Sequence, residues 1–484
     1  MRWVLGALLV IGPLSLAALA QPKPPPLEPP AGRLDKFGEP LPQAAPPAGP
    51  APSGPAIAAP PPIDALPAVA RFRALLGDSI TLAYRAAEPI DPATGSVRLL
   101  GARLTRGEGS LAIEELTLDG LGEQRIGAAS ARELVLTGPG TGTARIARLE
   151  LREMAAPGLA PEALAVASLR LEQLTVEGDT PVSLAELVLE DYAAGRPGRL
   201  TLTGLDVLAP QAGAFDRVRT GRVQLRGLDL PGTIASLGAQ ETPPRADAGY
   251  ALEIEDVVVT AGDRAIGGFG ALRIQGDPTT AEGIETGRVA LRELRLEPLP
   301  GLEAWLTRFG YPALLADLTA ESRYDRARGR LELRSLSLAG REMGVLGLSL
   351  ALDGVTPEAA EQQDWEQLKL VGLALRYLDQ SLLGRAARDE ARRRKTTEAR
   401  VREGWASQLA AALGSPGGRG QAVPGGGGLG PVVAALQRFL RGEAKEVELT
   451  ARPAQPVALG DLPAALLGGP AAAQRVLGLG AVAR

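Results

Sequence analysis

Along most of this chain the apolar positions obey one spacing. From about residue 95 onward, large aliphatic side chains stand at i, i+2, i+5 and i+7, with mostly polar or small residues between them. Strict copies begin at Leu111, Leu169, Val182, Leu200, Val223, Leu252, Val289, Leu331 and Leu368; in the first, the four positions are Leu111, Ile113, Leu116 and Leu118. Weaker copies, with Ala or Gly at one or two positions, begin at Val97, Ala129, Ala144 and Gly267. Large apolar residues make up roughly a quarter of the chain, so chance supplies about two strict copies. The rest need a structural cause.

Alternation on either side of a two-residue skip describes two short β segments whose phase slips in the middle. A bulge at the skip returns all four apolar side chains to one face and bends the strand. The residues between them are often charged, as at Glu114-Glu115 and Arg292-Glu293, so the second face is expected to be wet. A solenoid would need a nearly fixed period, whereas successive copies start anywhere from 13 residues apart (169 to 182) to 42 apart (289 to 331). The expected fold is therefore mainly β: a long curved antiparallel sheet with bulged strands, with amphipathic helices in the C-terminal third. Gly138-Pro139-Gly140 and Pro231-Gly232 supply turns, and Tyr324 to Gly329 reads as a hairpin loop.

Helical spacing appears late. Leu302, Trp305, Leu306 and Phe309 share one face within 302–318, a face expected to pack on the sheet. Residues 379–413 form the longest helical pattern, with Val401, Trp405, Leu409 and Leu413 along a seam. This stretch carries the basic run Arg392, Arg393, Arg394 and Lys395. Its simplest reading is a solvated helix face; the alternative is contact with anionic lipid or an acidic partner. A Gly-rich linker at 414–430 follows, and 431–484 is expected to hold short helices with one strand at Val447 to Ala451.

The first residues change the setting. Arg2 precedes an apolar run from Val4 to Leu19 that ends in Ala18-Leu19-Ala20, which reads as a cleaved export signal over 1–20. The alternative is an inner-membrane anchor formed by residues 3–20. Residues 21–62 hold 16 of the 41 prolines and suit an extended solvated spacer. From 63 to 378 the chain is then one unit, an N-terminal helix followed by the repetitive sheet. The location expected is the periplasm.

Composition narrows the chemistry. The chain has no His and no Cys, no Asn occurs, and Lys supplies only 5 of the 52 basic residues. Imidazole proton transfer, Ser-His and Cys-His nucleophile pairs, thiol chemistry and His/Cys zinc sites are thereby excluded. The net charge of −4 is spread through interleaved acids and bases, and aromatics are 3%, so nucleic-acid binding is not expected. There is no G-x-S-x-G elbow, no S-x-x-K and no phosphate loop; the run at 425–430 follows no expected strand. Adjacent carboxylates such as Glu114-Glu115 and Asp389-Glu390 read as surface groups.

The bulged-strand spacing, the hairpin SRYDRARGRLELRSLSLAG at 322–340 and the N-terminal apolar segment resemble the bacterial AsmA and TamB-like envelope proteins. The resemblance covers roughly residues 95–378. It implies a long curved sheet with an apolar groove, tethering at the inner membrane, and a part in moving phospholipid or maintaining the outer membrane. It transfers no individual residue, and the cleavage motif, the Pro-rich spacer and the C-terminal basic helix depart from it. The function expected is that of an exported, non-enzymatic envelope protein that handles lipid or supports envelope integrity, with no cofactor and no metal. A module binding another envelope protein is the alternative, and a carboxylate-dependent hydrolase of envelope polysaccharide the minor one.

Overall fold

A computed structural model describes residues 66–91, 95–138, 142–155, 164–209, 215–238, 246, 248–356, 359, 365–413 and 429–484. The signal and spacer, most of the Gly-rich linker and the turn at Pro139-Gly140 lie outside the described residues.

The strands join one open antiparallel sheet in which, from β3 to β18, each pairs with its neighbours in sequence. At one edge β1 (Thr81–Ala83) and β2 (Ala86–Asp91) lie end to end beside β3 (Ser96–Arg106). The meander continues through β4 (Gly109–Leu121), β5 (Arg125–Gly138), β6 (Gly142–Ala155), β7 (Ala165–Val176), β8 (Val182–Tyr192), β9 (Pro197–Leu208) and β10 (Arg217–Asp229). It runs on through β11 (Tyr250–Ala261), β12 (Arg264–Gly276), β13 (Ile284–Leu296), β14 (Leu314–Asp325), β15 (Arg330–Gly340), β16 (Gly344–Asp353) and β17 (Lys369–Asp379). Next to β17 lie β18 (Glu446–Ala451) and the two-residue β19 (Val457–Ala458), and β20 (Leu479–Ala483) forms the far edge on β18.

Three helices interrupt the meander: α1 (Pro67–Leu76) before it, α2 (Leu230–Gly238) after β10 and α3 (Glu303–Phe309) after β13. Five more follow β17: α4 (Leu382–Arg394), α5 (Glu398–Leu413), α6 (Gly430–Arg441), α7 (Leu462–Leu467) and α8 (Pro470–Leu477). Among the described residues no helix is long and apolar enough to cross a membrane.

Several expectations need correction. Pro231-Gly232 is not a turn: Asp229 accepts the Gly232 N–H at 3.0 Å, and Pro231, which has no N–H to satisfy, sits in the first turn of α2. The helix expected within 302–318 is only α3, because Gly310 takes left-handed backbone (φ 69°) and β14 begins at Leu314. Residues 379–413 are two helices, since Lys395 at φ 50° ends α4, and the Thr397 hydroxyl accepts the Arg400 N–H at 3.3 Å to start α5. The final segment holds three strands rather than one, and all extend the same sheet.

Candidate apolar binding face

From β3 to β13 most of the two-residue skips are breaks in the pairing that leave the register unchanged, and they line up. In the ladders from β3 to β13 the pairing is interrupted on every strand at one residue: Gly101, Glu114, Glu133, Ala147, Gln173, Ala185, Gly204, Gly221, Asp256, Gly270 and Glu293. Alternate members have left-handed backbone: Gly101, Glu133, Gln173, Gly204, Asp256 and Glu293 lie between φ 49° and 66°. From β6 onward the intervening strand offers only Ala or Gly. Space dictates this, because a Cβ on Gly221 would stand 2.9 Å from Asp256 Cβ and one on Gly270 would stand 2.6 Å from Glu293 Oε2. The interruption is thus a crease running across the sheet, which alternate strands cross through a left-handed residue.

A second crease runs beside it through Gly120, Gly127, Glu153, Ala167, Asp191, Gly198 and Gly227. On each strand the two creases are six residues apart, as at Ala147 and Glu153 or Ala185 and Asp191, which is about 20 Å of extended chain. The apolar spacing carries its signal: one further apolar position at i+10, such as Leu121 after Leu111, marks a second phase slip.

Between the creases each strand presents two apolar side chains to the same face, and the register joins them into two rows. One row passes from Leu116 through Ala131, Leu149, Leu171, Leu187, Leu202, Val223, Ile254, Leu272 and Leu291 to Leu318. The other passes from Leu118 through Ala129, Leu151, Leu169, Leu189, Leu200, Leu225, Leu252 and Ile274 to Val289. At about 4.8 Å per strand the rows extend on the order of 50 Å.

What covers the rows differs along their length. Over β3 to β5, Val69, Phe72, Leu75 and Leu76 of α1 pack on Val97, Leu99, Ile113, Leu116, Leu118 and Leu134, and all of these are buried. Phe72 falls to 5% exposure and Leu99 to 0%. On β6 the corresponding Ile146, Leu149, Leu151 and Met154 are only half-buried. On β8 and β9 Leu187, Leu189, Leu200 and Leu202 are half-buried as well. Beside α2, Leu225, Leu252, Leu272 and Ile274 form a second buried cluster with Leu230. The same repeat is therefore a finished core under α1 and a partly open aliphatic surface on β6 to β9.

The opposite face is polar and paired. Glu115 pairs with Arg98 at 3.3 Å and Arg132 at 3.4 Å, Glu186 with Arg170 at 2.7 Å, Glu190 with Arg199 at 3.0 Å, and Glu253 with Arg226 at 3.3 Å. Hydrogen bonding from Arg217 holds the Asp206 carboxyl below the usual carboxylate range. Exposed pairs of this kind contribute at most about 1 kcal/mol each. Their consequence is that this face stays hydrated while the aliphatic rows face the other way. Glu114 and Glu115 do not converge on a common point: Glu114 is held by Arg85 at 3.0 Å, away from the two arginines on Glu115.

The basic run is divided by its pairing. Arg393 meets Asp389 at 3.3 Å and also Glu390, and Arg394 meets Glu390 at 2.5 Å, so these two are neutralised by the preceding turn of α4. Arg392 and Lys395 have no carboxylate within 4.0 Å among the described residues and line a cavity of about 880 Å³ between α3 and α4. That cavity is at the strand-end rim of β13 to β17, off the aliphatic rows.

A family described only as an uncharacterized protein matches residues 337–484, which takes in β16 to β20 and α4 to α8. No curated protein matches the chain.

Proposed function

We propose that this is an exported, non-enzymatic envelope protein that shelters the acyl chains of a phospholipid or similar amphiphile on its two aliphatic rows. The observation that carries the reading is the contrast within one repeat: row positions buried where α1 covers them are, apart from Leu171, half-buried on β6 to β9. An uncovered stripe of Leu side chains this long is large for a surface with no partner. Its width, two side chains between two creases, suits extended hydrocarbon, and its polar back face suits an aqueous compartment. The N-terminal apolar run and the resemblance to AsmA and TamB-like proteins support the envelope setting.

The test is lipid analysis of the intact exported protein by mass spectrometry after purification without detergent. Phospholipid should co-purify with the wild-type chain. Leu202→Arg, which puts a charge in the uncovered part of a row opposite Leu187, should strip the lipid while leaving the far-ultraviolet circular dichroism unchanged. A folded variant that retains as much lipid as wild type would overturn the proposal.

A further inference from the structure

The rim cavity between α3 and α4 has a surplus of cations that the fold does not use. Arg385 is fully occupied: it donates to the Phe309 carbonyl at 3.0 Å, the Gly310 carbonyl at 2.6 Å and Glu342 at 3.1 Å, and lies 4.1 Å over the Tyr311 ring. Arg308 is held by Asp389 at 2.8 Å. Arg388 donates to the Gly384 carbonyl at 3.4 Å, and its nearest carboxylate is Glu398 at 3.8 Å, the one carboxylate in the cavity lining. Arg392 and Lys395 have no carboxylate partner at all within 4.0 Å among the described residues.

Helix termini do not account for these cations. The C-terminal ends of α3 and α4 both bring carbonyls here, and carbonyls attract positive side chains. Arg385 already answers α3. In α4 the Arg392 carbonyl accepts from the Lys395 N–H at 3.3 Å and the Ala391 carbonyl from the Thr396 N–H at 2.9 Å, so the chain caps itself.

We propose that this cavity binds a phosphoryl group, with Arg388, Arg392 and Lys395 as its cationic contacts. Three cations around one concave site match the three acceptor oxygens and near-double charge of a phosphate monoester better than a single carboxylate. A cavity of about 880 Å³ has room for the glycerol or sugar that carries the phosphate. The site does not rest on the lipid reading, because it lies off the aliphatic rows and is built from different residues.

The experiment uses the full chain and two phosphate-monoester probes: soluble glycerol 3-phosphate in calorimetry, and phosphatidic acid in phosphatidylcholine vesicles, against vesicles of phosphatidylcholine alone, in flotation. Wild type should bind at least one phosphate-bearing probe, more weakly as salt is raised. The double variant Arg392→Gln/Lys395→Gln should lose about tenfold or more in affinity. Arg393→Gln/Arg394→Gln, which removes the same formal charge from the same helix, should change it less than about twofold. Glu398→Gln, which removes the lining carboxylate and frees Arg388, should raise affinity; this arm holds even if the first variant folds poorly. Binding of vesicles alone marks a lipid headgroup as the source, and binding of glycerol 3-phosphate alone marks a soluble phosphate ester. No binding of either probe, or equal losses from the two double variants, overturns the proposal.

Discussion

Left-handed backbone in the middle of a strand costs a residue with a side chain about 1–2 kcal/mol, and the creases place Glu133, Gln173, Asp256, Glu293, Glu153 and Asp191 there. The crease tolerates this only because its neighbours are small. Gln173 is flanked by Ala147 and Ala185, and Asp256 by Gly221 and Gly270. In the first crease both demands fall on Gly204: φ is +66°, and a Cβ there would stand 2.9 Å from Ala185 Cβ. Gly204→Val should therefore lower stability by about 2–3 kcal/mol, combining forbidden backbone with a clash. Gln173→Gly, at φ 55°, meets no clash and relieves strain, so it should be neutral or raise stability by about 0.5 kcal/mol after the entropy cost of Gly. Urea midpoints of the two variants against wild type check the pair, and equal behaviour of the two would remove the crease argument.

At the level of elements, the sheet was legible and its coverings were not. Alternation with a phase slip is a local signal, so the antiparallel meander, the breaks in the strand pairing and the hairpin between β14 and β15 followed from it, whereas a bulge at every skip did not. The break at Lys395 was also local: Thr397 followed by Glu398 is a helix start signal that the charge pattern masked. That α1 covers β3 to β5, while β6 to β9 stay half-open, depends on where a helix docks in three dimensions, and no spacing along the chain encodes it. The division of Arg392 and Lys395 from Arg393 and Arg394 is likewise a matter of which carboxylate each arginine reaches. The C-terminal elements dock on the sheet through two ionisable contacts with opposite pH signs. Tyr377 of β17 packs edge-on against Phe439 of α6 at 5.9 Å and donates to Asp379 at 3.1 Å; burial, then Asp379, raises its pKa above the ordinary tyrosine value. Its contribution is complete below pH 10.0 and is lost as pH rises above that value. The Glu446 carboxyl, hydrogen-bonded to Arg376 at 2.8 Å, is held below its ordinary value of 4.5, so its contribution is complete above that pH and is lost below it. The melting temperature should be flat between about pH 6 and 9 and fall on both sides. Tyr377→Phe should flatten the alkaline limb and Glu446→Gln the acid limb, both read by calorimetric scans.

Taken whole, the molecule is nearly one-dimensional. From β3 to β18 every strand pairs with its neighbours in sequence, and the buried clusters are separate: one under α1, one beside α2 and several among the C-terminal helices. Arrays of this kind owe their stability to each unit and its nearest-neighbour interfaces, and they lose all-or-none cooperativity when a stretch is weakly covered. The weak stretch is β6 to β9, where few side chains besides Val166, Leu171, Leu184 and Val207 are fully buried. Hydrogen exchange read by mass spectrometry should therefore show two levels in the lipid-free protein: slow amides in β3 to β5 under α1 and in β17 and β18, and faster ones in β6 to β9. Inner strands of a continuous ladder usually exchange slowly, so fast exchange there assigns the difference to the missing cover rather than to a missing hydrogen bond. If acyl chains provide that cover, adding phospholipid should slow β6 to β9 selectively and leave β3 to β5 unchanged, because a ligand stabilises the state to which it binds. Uniform protection across all strands before lipid is added would mean that the aliphatic rows are already a finished core, and the open face would lose its part in function.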